Sequence, residues 1–142
     1  MKNPPKIKRV NLDMLEKIQH GYGGKYGLYA YDTNTIYLES SLTDRTIPSK
    51  QAVTQHEIAH VVVHRARLKL TKRIEEKFCE LYSLVASPDK SISETETVAK
   101  NVIFGDLKWT RVIDREEILI KILEICGVKQ PVQAAEKILT QI

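Results

Sequence analysis

The stretch Ala52-Val53-Thr54-Gln55-His56-Glu57-Ile58-Ala59-His60-Val61-Val62-Val63-His64-Arg65-Ala66 decides how the rest of this chain is read. Its apolar positions, from Ala52 and Val53 through Ala59, Val62, Val63 and Ala66, recur at helical spacing. Inside that run His56 to His60 spells H-E-x-x-H. Residues four apart on a helix lie one above the other, so His56 and His60 aim two imidazole nitrogens at one point. Such a point suits a zinc ion. Glu57, one step round the helix from His56, is then placed to act as general base toward a water in the open position of the metal. So short a pattern also arises by chance in a chain with four histidines, and the apolar helical setting separates this occurrence from an accident.

A chain of 142 residues is long enough for one compact domain with a real core, and a second large domain is not expected. The formal charge of +4 permits an acidic partner without demanding one. Cys79 and Cys126 are far apart in apolar helical contexts, so free buried thiols are expected rather than a disulfide. The start of the chain, Met1 to Lys6, is basic, but no apolar segment of the secretory kind follows it, and no apolar run is long enough to span a bilayer. A cytoplasmic protein without membrane contact is the simplest expectation.

Outward from the motif, residues 1–10 read as a basic, Pro-containing flexible arm, and Asn11 caps a short helix carrying Leu12, Leu15 and Ile18. His20-Gly21-Tyr22-Gly23-Gly24 reads as a turn, with neither of the glycine spacings that cradle phosphate. Tyr26 to Tyr31 and Thr35 to Glu39 flank the turn signal Asp32-Thr33-Asn34 and predict a β-hairpin. Pro48 marks the first turn of the motif helix, which should run to about Ala66. A following helix from about Thr71 places Ile74, Phe78, Leu81, Leu84 and Val85 on one side and stops at Pro88. Ser93 with Glu96 forms a capping box for a helix ending near Gly105, Asp114 with Glu117 opens another that Gly127 ends, and Pro131 opens the last. The apolar segment 116–125 is expected to pack against Phe78, Leu81 and Val85. The whole is an α+β, mostly helical domain: a catalytic core over 11–88 and a C-terminal helical part over 89–142.

A catalytic zinc normally has three protein ligands, so one more is needed. The candidates are His64, Glu75, Glu76 and Glu80. His64 lies about 12 Å along the axis from His56, too far to share one ion, and is read as structural, outer-shell or substrate-facing. The next helix offers Glu76, Cys79, Glu80 and Ser83 opposite its apolar stripe. Cys79 and Ser83 are small enough for the zinc helix to dock there, with Glu76 or Glu80 ligating and the other supporting a histidine.

Here the chain resembles a known group. H-E-x-x-H completed by a glutamate on the next helix is similar to the gluzincin metallopeptidases. Glu76-Lys77-Phe78-Cys79-Glu80-Leu81-Tyr82-Ser83-Leu84 is similar to the E-x-F-A-E-x-F-x-L helix of the anthrax lethal factor type, with Cys79 in place of alanine. The span from Tyr26 to Pro88 also resembles the small ImmA/IrrE-type peptidase domains, though the Ala-Asn pair common after their ligand glutamate is absent. The resemblance implies a minimal zincin-like fold, Zn2+ held by His56, His60 and Glu76, Glu80 supporting a ligand histidine, and a zinc-dependent metallopeptidase acting on a peptide or protein substrate. It also implies that an edge strand above the zinc helix receives the peptide, and Thr35 to Glu39 is the segment expected there. Tyr82, Tyr37 and His64 are candidate donors to the oxyanion or substrate, and Trp109 and Arg111 are placed over the cleft or over a helix end. The rival is a silent or latent zinc-binding regulator whose segment from Ile122 to Leu139 acts as a helix-turn-helix-like element toward DNA or a partner. That segment is poor in side chains that read bases, so nucleic acid is disfavoured.

Overall fold

The computed structural model describes residues 1–19, 26–86 and 115–142. Among these the protein is α+β and mostly helical, with one three-stranded sheet and five helices. The order is β1 (Lys6–Val10), α1 (Leu12–Gln19), β2 (Gly27–Ala30), β3 (Thr35–Glu39), α2 (Lys50–Arg65), α3 (Lys72–Ala86), α4 (Arg115–Ile125) and α5 (Pro131–Leu139). None of the described helices is long and apolar enough to cross a membrane. The expected glycine turn at 20–24, the Pro88 stop, the capping-box helix from Ser93 to Gly105, the Asp114 cap, Trp109 and Arg111 lie outside the described residues.

Local chemistry sets the helix ends. The Asn11 side-chain oxygen accepts from the Met14 N–H at 2.8 Å, and the Thr71 hydroxyl accepts from Ile74 N–H at the start of α3; both satisfy a donor the first helical turn leaves open. At α2 the cap is Ser49, whose hydroxyl accepts from Ala52 N–H at 3.1 Å. Pro48, expected in the first turn, therefore sits just before the cap. α4 ends on Gly127 at φ +81°, where Val128 N–H reaches the Leu123 carbonyl and Gly127 N–H that of Glu124. Glycine suits this left-handed end because it has no Cβ to crowd the preceding carbonyl.

Two expectations about the sheet are overturned. Residues 6–10 are not a flexible arm but strand β1, parallel to β3 with Lys6 opposite Thr35 and Val10 opposite Glu39. The Arg9 guanidinium donates to the Ser40 carbonyl at 2.9 Å and also to Leu42. Arg65 at the end of α2 donates to the Lys2 and Asn3 carbonyls. A strand spelled Lys-Ile-Lys-Arg-Val has little apolar alternation of its own, and its order comes from a partner some thirty residues later. Its lysines are a common protection for an exposed edge.

The second correction concerns β3, which is the central strand, paired on one side with β1 and on the other, antiparallel, with β2. It has no free edge for a peptide. β2 is an edge strand among the described residues, and it is the strand nearest the motif.

Side chains alternate across β3, so Ile36 and Leu38 face α2 and join Leu42, Val53 and Val61 in one buried cluster. A second, larger cluster forms where α2, α3, α4 and α5 meet. It contains Ala59, Val62, Val63, Phe78, Leu119, Ile122, Leu123, Ala135 and Ile138, with Leu81 and Val85 packed on it. The expected docking of α4 against Phe78, Leu81 and Val85 is found there. Among the described residues Phe78 is the largest fully buried side chain. Phe78→Ala is expected to cost about 3–5 kcal/mol through lost transfer energy and the cavity left behind. The check is a fall in the urea midpoint at unchanged slope.

Candidate metal centre

Helix α2 runs between two neighbours, and its residues sort by direction. Val53, Glu57 and Val61 are buried on the sheet side, while His56 and His60 turn toward α3. Their rings sit one turn apart with centroids 5.2 Å from each other.

Opposite them, the Glu76 carboxylate spans the pair. One oxygen lies 3.2 Å from His56 Nε2 and the other 3.1 Å from His60 Nε2. Donor atoms around a tetrahedral zinc, each about 2.0–2.1 Å from the ion, are separated by roughly 3.3 Å. The two nitrogens and the carboxylate thus have the chemistry and nearly the spacing of a zinc ligand set. His56, Glu57 and His60 also each place a ligand atom within 4.8 Å of the others. Three carboxylates therefore adjoin the histidines: Glu76, half-exposed and in contact with both Nε2 atoms, Glu57, buried beneath the sheet, and Glu75, on the far nitrogen of His60.

The remaining nitrogen of His60 is also accounted for. Glu75 accepts from Nδ1 at 2.7 Å, which fixes the ring with Nε2 facing Glu76; a carboxylate on the far nitrogen is the arrangement that metal-binding histidines usually show. Burial pulls the basicity of His60 down, but hydrogen bonds to Cys79, Glu75 and Glu76 outweigh it and the ring is pushed up to about 12. The Glu76 carboxyl is held well below the usual carboxylate range, mainly by its hydrogen bonds to His56 and His60. Burial pushes the Cys79 thiol up to about 11.

Glu57 is in a different setting. Desolvation raises its pKa, an effect the nearby His60 and His56 oppose and Glu76 reinforces, while the Tyr29 backbone hydrogen-bonds the carboxylate. Strand β2 comes this close because residue 27 is glycine. A Cβ there would lie 2.7 Å from Val53 Cγ1 and 3.2 Å from Glu57 Cγ. Gly27→Ala is expected to push β2 off α2 and cost about 1–3 kcal/mol, as overpacking typically does. A lowered Tm is the signature.

The other anticipated residues fall elsewhere. Glu80 is exposed and makes no contact with either histidine among the described residues; the place expected for it on the ligand histidine is taken by Glu75. Helical phase explains the exchange. Cys79 and Ser83 are buried at the α2 contact, and each residue advances about 100°, which turns Glu80 away and brings Glu75, four before Cys79, onto the interface. Glu75 stood among the sequence candidates, and counting back from Cys79 would have singled it out.

His64 is exposed and stacks on Tyr31 with centroids 4.9 Å apart, one turn beyond the site rather than supporting it. Tyr37 lies on the face of β3 opposite Ile36 and Leu38, away from α2, so it cannot donate into the site. Tyr82 packs beside Phe78 against the core, ring centroids 5.9 Å apart. Cys79 and Cys126 are free and buried, as expected. Gly27, the Tyr29 backbone and Cys79 as a partner of His60 carried no signal of their own in the sequence. Comparison with protein-family models, with curated proteins and with solved structures gives no match.

Proposed function

We propose that the chain is a minimal zincin-like, zinc-dependent metallopeptidase that binds one Zn2+ through His56, His60 and Glu76 and hydrolyses peptide bonds. The observation that carries this reading is the Glu76 carboxylate set across both Nε2 atoms of the H-E-x-x-H pair. Glu75 holds the His60 ring by its far nitrogen, so Nε2 is aimed before a metal arrives, and the proton it shares with Glu76 leaves as the metal binds. Zinc, when bound, supplies Lewis acidity that polarises a carbonyl and makes water acidic enough to react at neutral pH.

The chain's own residues do the rest. Glu57 accepts the proton of the attacking water and returns it to the leaving amine, one carboxylate serving both directions. Its raised pKa suits it to both, because a base poised nearer neutrality gives its proton back more readily. β2, an edge strand among the described residues, flanks Glu57 and pairs an extended peptide by main-chain hydrogen bonds. Gly27, with no side chain, keeps that strand close to the base.

The test is metal content followed by turnover. Purified protein is expected to hold one zinc per chain and to cleave an unstructured, quenched-fluorescence peptide library. A chelator should stop cleavage and added zinc should restore it. Absence of zinc would overturn the site, and zinc without cleavage would leave the silent or latent zinc-binding reading in its place.

A further inference from the structure

The α2–α3 and α4–α5 connections lie side by side and form an open cavity of about 300 Å³. Its floor is apolar: Leu70, Ile74 and Val128 are only partly buried there, at the margin of the main core. Its rim is cationic. Lys69, Lys129 and Lys137 line it and are exposed, and no carboxylate lines it among the described residues. Among those residues none of the three ammonium groups has an ion-pair partner. Lysines on a protein surface usually alternate with acids, so three unpaired ones around an apolar pit make a surface of one sign with a hydrophobic centre.

We infer that this cavity is a docking site for an acidic segment of a partner protein, one that presents a bulky apolar side chain flanked by carboxylates. The apolar side chain enters the pit against Leu70, Ile74 and Val128, and the carboxylates meet the lysines at the rim. A protein segment is favoured over nucleic acid because a phosphate backbone has nothing to place on an apolar floor. Aromatic side chains on which bases could stack are also missing from the cavity lining among the described residues. The division of labour, an apolar anchor at the centre and charges outside it, is that of protein interfaces generally. Ile74 precedes Glu75 and Glu76 in α3, so the docking site and the metal centre share one helix, but the inference stands without the peptidase reading.

The test uses the full chain and a fluorescein-labelled peptide, Asp-Asp-Glu-Phe-Leu-Glu-Asp-Asp. Anisotropy is expected to give a Kd on the order of 10⁻⁵ M, weakening as salt is raised. Amide shifts in nitrogen-15 spectra should centre on residues 68–74 and 127–137. Replacing Phe-Leu by Ser-Ser at equal charge should weaken binding by about tenfold or more. The triple variant Lys69→Glu, Lys129→Glu, Lys137→Glu should weaken it by roughly 100-fold, and the matching Lys→Gln set by roughly tenfold. Both sets should keep the parent's Tm, since all three sites are exposed. Equal binding by the Ser-Ser peptide or by both lysine sets would overturn the inference. So would tighter binding of a DNA duplex than of the peptide, shifts centred elsewhere, or lysine-dependent self-association with no peptide binding.

Discussion

Replacing Glu57 by Gln is expected to lower peptide hydrolysis by about 10²–10⁴-fold, the range that a positioned general base contributes, while zinc content stays at that of the parent. The two halves of the result separate the roles of neighbouring residues. The proposed ligands are His56, His60 and Glu76, whose contacts with one another do not pass through Glu57. Gln is close in shape to Glu, so it fits under Gly27 and keeps a partner for the Tyr29 backbone, but it cannot take up a proton. Equal cleavage by parent and variant would remove Glu57 from the mechanism.

The same substitution has an opposite effect on stability. A carboxyl whose pKa is raised on folding favours the fold below its ordinary value of 4.5, and that contribution is lost as pH rises through the folded value. At neutral pH the metal-free parent therefore carries a buried, desolvated acid that opposes folding. Glu57→Gln removes it, and the metal-free variant is expected to melt above the parent at pH 7, by roughly 3–5 °C for each kcal/mol relieved. The gap should close as pH is lowered toward 4. Loss of activity with gain of stability would mark Glu57 as a functional group held in an unfavourable place, which a residue kept for packing is not.

The second large effect concerns the carboxylates of α3. Glu76→Gln is expected to weaken zinc binding by more than about 100-fold, beyond the 10–100-fold that an outer hydrogen-bond partner typically accounts for. Glu75→Gln should fall within that 10–100-fold window, because it orients His60 through Nδ1 without reaching its Nε2. Glu80→Gln should bind zinc as the parent does, since the side chain points to solvent. Competition titration with a zinc chelator gives all three values on one scale. If Glu80→Gln releases the metal and Glu76→Gln does not, the ligand assignment and the rotation of α3 are both wrong.

This series probes the point at which reading the sequence stopped. The run around His56, Glu57 and His60 declared its helix and the common face of its histidines because both depend only on the angle between successive residues. The cap at Asn11, the helix start near Thr71, the Gly127 stop and the β2–β3 hairpin were legible for the same reason: a residue's own backbone and side chain decide them within a few positions. The strand at Lys6 to Val10 was not legible, because nearly all its stabilisation comes from pairing with β3.

By itself, then, the sequence determined an α+β, mostly helical chain, two histidines and a glutamate on one helix turn, and a glutamate-bearing helix following them. Tertiary structure alone decided that Glu75 rather than Glu80 meets His60 and that Glu76 spans both Nε2 atoms. It also decided that β2 rather than β3 is the edge beside Glu57, and that only a glycine fits at position 27. The physical reason is common to all of these. Periodicity within a helix or strand is fixed by bonds along the chain. The rotation of α3 against α2 and the order of strands are fixed by packing between segments distant in sequence, here Cys79 and Ser83 at the helix contact and Ile36 and Leu38 under the sheet.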